Sequence, residues 1–266
     1  MDLAPLAGQI NAISSGTRGR WPQAIKYSTS SGADCTRATD FLYADPCYRV
    51  RVLCRLDSLR RCLPINAPHP PSGEQRLHEI KHDGFRIIAR KDGKRVKLYS
   101  RPGNDLTYRF PLIVEAIAKL RSRSCIIDGE AVACGDDGIA SFDRIRYRHN
   151  DDGVFLYAFD LIELDGDDLR RHPLIVRKTT LGSLFAREAP GLRLNEHLEA
   201  DGPDVFHHAC MLGLEGIVSK RKDSQYRSGR SPHWLKSKNP NAPAVKREAE
   251  EDWGQWPTRR AKPRSS

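Results

Sequence analysis

The sequence is short of acid and short of long apolar runs. Lys and Arg number 44 against 34 Asp and Glu, which leaves a formal charge of +10 over 266 residues. A chain this basic attracts polyanions: nucleic acid is the first candidate, and an anionic membrane surface the weaker one because no basic amphipathic helix stands out. No apolar stretch approaches the ~20 residues of a membrane span. The start, "MDLAPLAGQINAISSG", lacks the basic residues and continuous apolar core of a secretory signal. These absences predict a soluble, cytoplasmic protein with no membrane partner. The seven cysteines, an odd number, include no C-x-x-C pair, which argues against a disulfide framework or zinc knuckle and for reduced thiols. His207 and His208 fall in "DVFHHACMLG", a helical pattern in which they cap or pack in preference to binding metal.

Periodicity is missing at both ends. Residues 1–57 show no helical or strand repeat of useful length, and "TSSGADCTRATD" reads as loop. This segment is expected to be a poorly ordered or artefactual extension, an overextended translation start included. The tail, 240–266, is low in apolar residues apart from one possible short helix in "AVKREAEEDW". Between them, residues 58–239 carry strong elements. "FRIIARK", a turn at Asp92-Gly93 and "KRVKLYS" form a hairpin pattern, and "PLIVEAIAKL" has one apolar helical face. "CIIDGEAVAC", "VFLYAFDLIEL", "LRLNEHL", "EGIVSKRK" and "HWLKSK" read as strands; "HPLIVRKTTLGSLFA" and "DVFHHACMLG" read as helices. Hairpins mixed with separated helices predict an α+β domain of mostly antiparallel sheets flanked by helices.

Polar residues that break these patterns are the candidate chemistry. Alternation in "CIIDGEAVAC" puts Asp128 and Glu130 on one face with Ile126 and Val132. The same parity groups Trp234, Lys236 and Lys238, and Glu215 begins a strand beside Ile217. Lys81 stands two residues before Asp83-Gly84 in "HEIKHDGFR". Asp-Gly occurs seven times in the chain and is first a hairpin signal, so the dipeptide alone says little.

In order, these segments resemble the covalent nucleotidyltransferases, the superfamily of ATP-dependent DNA ligases, RNA ligases and capping enzymes. "KHDGFR" matches their K-x-D-G-x-R signature. "SRPGND", "DGEAV", "LYAFDL", "EGIVSK" and "WLKSK" look like the motifs that follow it. The resemblance covers roughly residues 60 to 240 and is closest to the ligase domain of the bacterial ligase D type. It implies an ATP-dependent DNA ligase whose Lys81 attacks the α-phosphate of ATP, forms a lysyl-AMP and passes AMP to a DNA 5′-phosphate for nick sealing in repair by end joining. A free lysine is protonated at pH 7, so partial burial, Arg86 and a bound cation would have to favour its neutral form.

By the same resemblance Arg86, Arg101, Lys236 and Lys238 supply positive charge for phosphates, Glu130 binds the ribose and Phe159 stacks on adenine. Glu79 brings its backbone to the base edge. Glu215 holds a magnesium or manganese ion, and Asp83 holds the turn and a metal-bound water. Pro102 departs from the family's usual asparagine-glycine form and removes a backbone N–H beside Arg101. Arg177 matches a recurrent family arginine, with a surface charge as the competing reading. The implied partners are nicked or broken duplex DNA and, for a monomer, Ku or separate end-joining proteins. The 28 residues after Lys238 are too few for the oligonucleotide-binding barrel that usually follows, so no complete one is expected. RNA ligation or capping, and a nick-binding module without turnover, are the alternatives.

Overall fold

The computed structural model describes residues 61–135, 138–147, 151–185 and 189–247. The readings of residues 1–57 and of most of the tail lie outside the described residues; 243–247 are helical, as the tail pattern suggests.

Two sheets lie face to face, and helices cover their outer sides. The first has the order β1-β11-β10-β2-β9, from β1 (Cys62–Asn66), β2 (Arg76–Ile80), β9 (His197–Leu198), β10 (Gly216–Arg221) and β11 (Gly229–Lys238). The second has the order β4-β3-β5-β6-β7, from β3 (Phe85–Asp92), β4 (Arg95–Ser100), β5 (Ser124–Val132), β6 (Phe155–Leu164) and β7 (Asp167–Asp168), with β8 (Leu192–Leu194) added on β6. Only the β1/β11 and β6/β8 pairs are parallel among the described strands. No closed barrel is present among the described residues.

Alternation decides which residues enter which layer. Ile127 and Ala131 of β5 pack outward under α1 (Pro111–Ala118) and the end of α3 (Leu174–Leu184), whereas Ile126 turns inward to Ile88, Phe159, Leu77 and Trp234. The far side of the first sheet is sealed by α4 (Gly202–Met211), whose Val205 and Ala209 meet Ile80 and Ile217. Two register shifts in the β5/β6 ladder set Phe159 and Asp160 together on the inner side, because Ala158 and Leu161 both face the outer core. A small helix, α2 (Phe142–Arg146), sets Phe142 edge-on against Phe85 of β3.

Three local expectations are corrected. The β3/β4 hairpin turns on Gly93-Lys94, with Asp92 still paired to Arg95; Gly93 takes φ 59°, as a turn with glycine in first position requires. "LRLNEHL" is two strands, β8 in one sheet and β9 in the other, split at Asn195. Asp83-Gly84 is no hairpin turn: it carries the chain from β2 in the first sheet to β3 in the second. Glycine is needed there because an added Cβ would stand 2.2 Å from the Ala131 carbonyl oxygen.

Candidate active site

Lys81 follows β2 directly, at the crossing between the sheets. Its backbone N–H donates to Gly216 O at 3.0 Å, and its Nζ is paired with the Glu215 carboxylate. Lys81 keeps 22% of its side chain exposed and Glu215 3%, so the amine reaches the surface from a buried acid. Gly216 lets β10 and β11 come this close: a Cβ there would meet Ser237 O at 2.1 Å, and its φ is 143°. Strand pairing sets Lys238 opposite Gly216 and Lys236 opposite Val218, so both lysines share the inner face with Trp234. Ser237, opposite Ile217, points to the other face, because the pleat sends only alternate residues of "WLKSK" to this one.

The second sheet brings Glu130 toward this end, opposite Arg86 in the β3/β5 ladder. Desolvation pushes its carboxyl up to about 8; Lys81 and Arg86 pull it down, and the charges of Glu215 and Asp128 oppose them. Lys81, Glu215, Lys236, Lys238 and Glu130 thus line one end of the cleft between the sheets. Phe159 lies deeper between the sheets, edge-on to Trp234, with the Lys220 ammonium 4.5 Å and the Arg86 guanidinium 5.2 Å from its ring centroid.

Other candidates have different partners from those expected. Arg86 is bound by Asp128 in a two-point pair, at 3.0 and 2.7 Å, and donates to Cys62 O at 2.7 Å. Tyr226 OH donates to the same carboxylate at 2.6 Å. The Arg86 charge is therefore committed to joining β3, β5 and the β10–β11 loop, in place of an open phosphate cation. The Glu79 carboxylate is buried between Lys178 and Lys220, each at 2.6 Å, while its backbone lies in the β2 ladders opposite Val218 and His197. Burial opposes its charge, but the two ammoniums outweigh burial and hold its carboxyl below the usual range. Arg177 is no surface charge: it is fully buried, with Nε and Nη2 donating to Asp160 at 2.7 and 2.8 Å. Arg101 is exposed on the turn after β4, which Gly103 N–H closes onto Ser100 O at 2.9 Å.

Asp83 accepts from Arg247 of the 243–247 helix at 2.9 and 3.0 Å and from Phe142 N–H at 3.2 Å. These contacts fix Asp83 where the chain crosses from the first sheet to the second. Among the described residues no group of three or more His, Cys, Asp or Glu could hold a metal ion, and the His207–His208 pair is engaged otherwise, His208 Nδ1 lying 2.8 Å from Asp204 O. The donor set near Lys81 fits a magnesium ion only as one that takes a single carboxylate, Glu215, and completes its shell with phosphate oxygens and water.

Sequence reasoning passed over Lys178, Lys220 and Asn195. Lys178 had a legible signal: it falls on the stripe of α3 between the buried Leu174 and Leu181, at i+4 and i+7. Lys220 shares the parity of Val218, which places it inward.

The family model described as ATP dependent DNA ligase domain matches residues 66–238. A multifunctional non-homologous end joining protein LigD from Pseudomonas aeruginosa is 36% identical over 173 residues, 64% of this chain and 20% of that protein. A DNA ligase from Thermococcus fumicolans is 34% identical over 183 residues, 62% of this chain and 33% of that one. A solved mycobacterial DNA ligase D, complexed with ATP and MES, superposes with a TM-score of 0.61 at 32% identity and covers 69% of this chain and 61% of that chain. The chain thus spans about a fifth of the LigD relative's length.

Proposed function

The chain belongs to the ATP-dependent DNA ligase domain family, and from that premise we propose that it is a self-adenylating enzyme in which Lys81 is the nucleophile. The observation that carries this reading is the placing of Lys81 at the cleft mouth, with its Nζ on Glu215 and its backbone fixed by Gly216.

In this mechanism the neutral Lys81 amine attacks the α-phosphorus of ATP, a P–N bond forms, and pyrophosphate leaves. AMP then passes to the 5′-phosphate of a nicked duplex, and a 3′-hydroxyl displaces it as the phosphodiester forms. Chemistry of this kind rests on positioning and charge neutralisation. Lys236 and Lys238 lie on the inner face where phosphates would meet them. Glu130, whose carboxyl burial pushes up, would meet a ribose hydroxyl there. Phe159 offers the apolar wall for adenine, and the Glu79–Lys220 pair sets the polarity behind it. Glu215 is the carboxylate that would hold magnesium, which when bound neutralises phosphate charge. The net charge of +10 suits duplex DNA, and the end-joining relatives support broken DNA as its setting, with Ku or separate repair proteins as partners. No described helix is long and apolar enough to cross a membrane.

Intact mass after incubation with ATP and magnesium tests the reading. The wild type should gain the mass of one AMP and Lys81→Ala should not; an adduct on the variant refutes the assignment. Sealing of nicked DNA against nicked RNA duplexes separates this function from RNA ligation, and equal or faster RNA sealing would overturn it.

A further inference from the structure

The residue after the nucleophile is buried, although the nucleophile itself is not. His82 is 9% exposed and stacks on Tyr157, with ring centroids 3.9 Å apart and planes 6° from parallel. Its Nε2 lies 3.2 Å from Asn195 Oδ1, and Asn195 Nδ2 donates to Ile80 O at 3.2 Å. One amide thus grips the chain on both sides of Lys81. The assignment is self-consistent: a carbonyl can only accept, so the amide nitrogen must face Ile80 O, which leaves Oδ1 to accept from a His82 ring protonated at Nε2.

Asn195 is itself held through both its backbone groups. Its N–H donates to Ala158 O of β6 at 2.7 Å, and its carbonyl accepts from Lys178 Nζ at 2.5 Å. Lys178 also holds Glu79, so residues 79, 80 and 82 are all tied, directly or through one side chain, to Asn195. Asn195 is 3% exposed and sits where the chain leaves the second sheet at β8 and enters the first at β9. Lys81 makes the opposite crossing, from the first sheet to the second. Both crossings meet at this amide.

We propose that Asn195, with His82, is a positioning residue for the nucleophile: it locks the Ile80–His82 backbone so that the Lys81 amine is presented in line with the α-phosphate. This rests on the reading of Lys81 as the adenylated residue. Neither side chain needs to touch ATP. A lysine has a long, flexible stem, so a backbone that shifts by a fraction of an ångström multiplies the orientations its amine can take, and near-attack geometry is lost before binding is.

The test measures single-turnover AMP-adduct formation at several ATP concentrations for wild type, Asn195→Ala, Asn195→Asp and His82→Phe, with folded fraction followed by thermal unfolding. Asn195→Ala should slow adduct formation at saturating ATP by about tenfold or more, with an ATP KM within about threefold of wild type. Asn195→Asp keeps the acceptor for His82 and loses the donor to Ile80 O, so it should fall between wild type and alanine. His82→Phe keeps the stack on Tyr157 and should lose less than Asn195→Ala. Wild-type rates in folded Asn195→Asp and Asn195→Ala overturn the proposal, as does a defect carried by KM alone. If Asn195→Ala does not fold, Asn195→Asp and His82→Phe decide: both at the wild-type rate refutes it, and a slower saturated rate with unchanged KM supports it. A wild type that gains no AMP at all refutes the nucleotidyltransferase reading itself, and the positioning role with it.

Discussion

Replacing Glu79 by glutamine removes one charge from a triad that has almost no access to water. The carboxylate accepts from Lys178 and Lys220 at 2.6 Å each, and side-chain exposures are 3% for the acid and 2% for either lysine. Glutamine has nearly the same volume, so no cavity forms. Its amide, however, can accept from only one ammonium and turns an N–H toward the other. Lys178 retains Asn195 O, and Lys220 retains the faces of Trp234 and Phe159 at 4.1 and 4.5 Å. Those contacts solvate the charges in part, without neutralising them. Breaking a buried pair in this way costs about 3–5 kcal/mol, against a whole-domain stability of about 5–15 kcal/mol. With a urea m-value near 2 kcal/mol/M, the midpoint should fall by about 2 M. Adding Lys178→Met to Glu79→Gln should recover part of the loss, because it deletes one of the two stranded charges, and this coupling distinguishes the triad from two independent contacts. Urea unfolding followed by tryptophan fluorescence reads all four states, and Trp234 reports from within the cluster. A midpoint shift below about 0.5 M at unchanged m, or a double variant no better than Glu79→Gln, would show that the lysines are not charged in the folded protein.

Gly84→Ala should destabilise by about 1–3 kcal/mol and slow adduct formation, because the new Cβ meets Ala131 O at 2.2 Å and only a backbone shift can relieve it; a wild-type midpoint and rate would contradict the crossing geometry. Glu215→Ala should suppress AMP-adduct formation by about 100-fold while the urea midpoint changes little, since Lys81 is partly exposed and can be solvated; unchanged adduct formation with limiting ATP would remove Glu215 from the site. His78 is buried against Ser219, with Nδ1 and Oγ 2.8 Å apart, and burial lowers its pKa to about 4. Between pH 6.5 and 4 the unfolded chain takes up a proton that the folded one does not, so stability falls as pH drops, by up to about 3 kcal/mol. His78→Gln should flatten that slope relative to wild type, and parallel pH curves would refute the assignment.

Local pattern carried much of this molecule. The Gly93 hairpin, the apolar face of α1 and the inward pair Asp128 and Glu130 are consequences of steric turn preferences and of periods 2 and 3.6, which act between near neighbours and are legible in a string of letters. The order of the motifs around Lys81 was legible in the same way. The partners of the charged residues were not. Glu79 meets Lys178 and Lys220 across 99 and 141 positions of chain, and alternation names the face a residue takes without naming what lies opposite. The seven Asp-Gly pairs make the point within one sequence. At 165 both residues take positive φ and turn β6 into β7, at 128 the pair lies inside a strand, at 201 it opens α4, and at 83 it carries the nucleophile from one sheet to the other. The dipeptide sets what the backbone can do. Packing against Ala131, and the amide of Asn195 joining two crossings more than a hundred residues apart, decided what it does here.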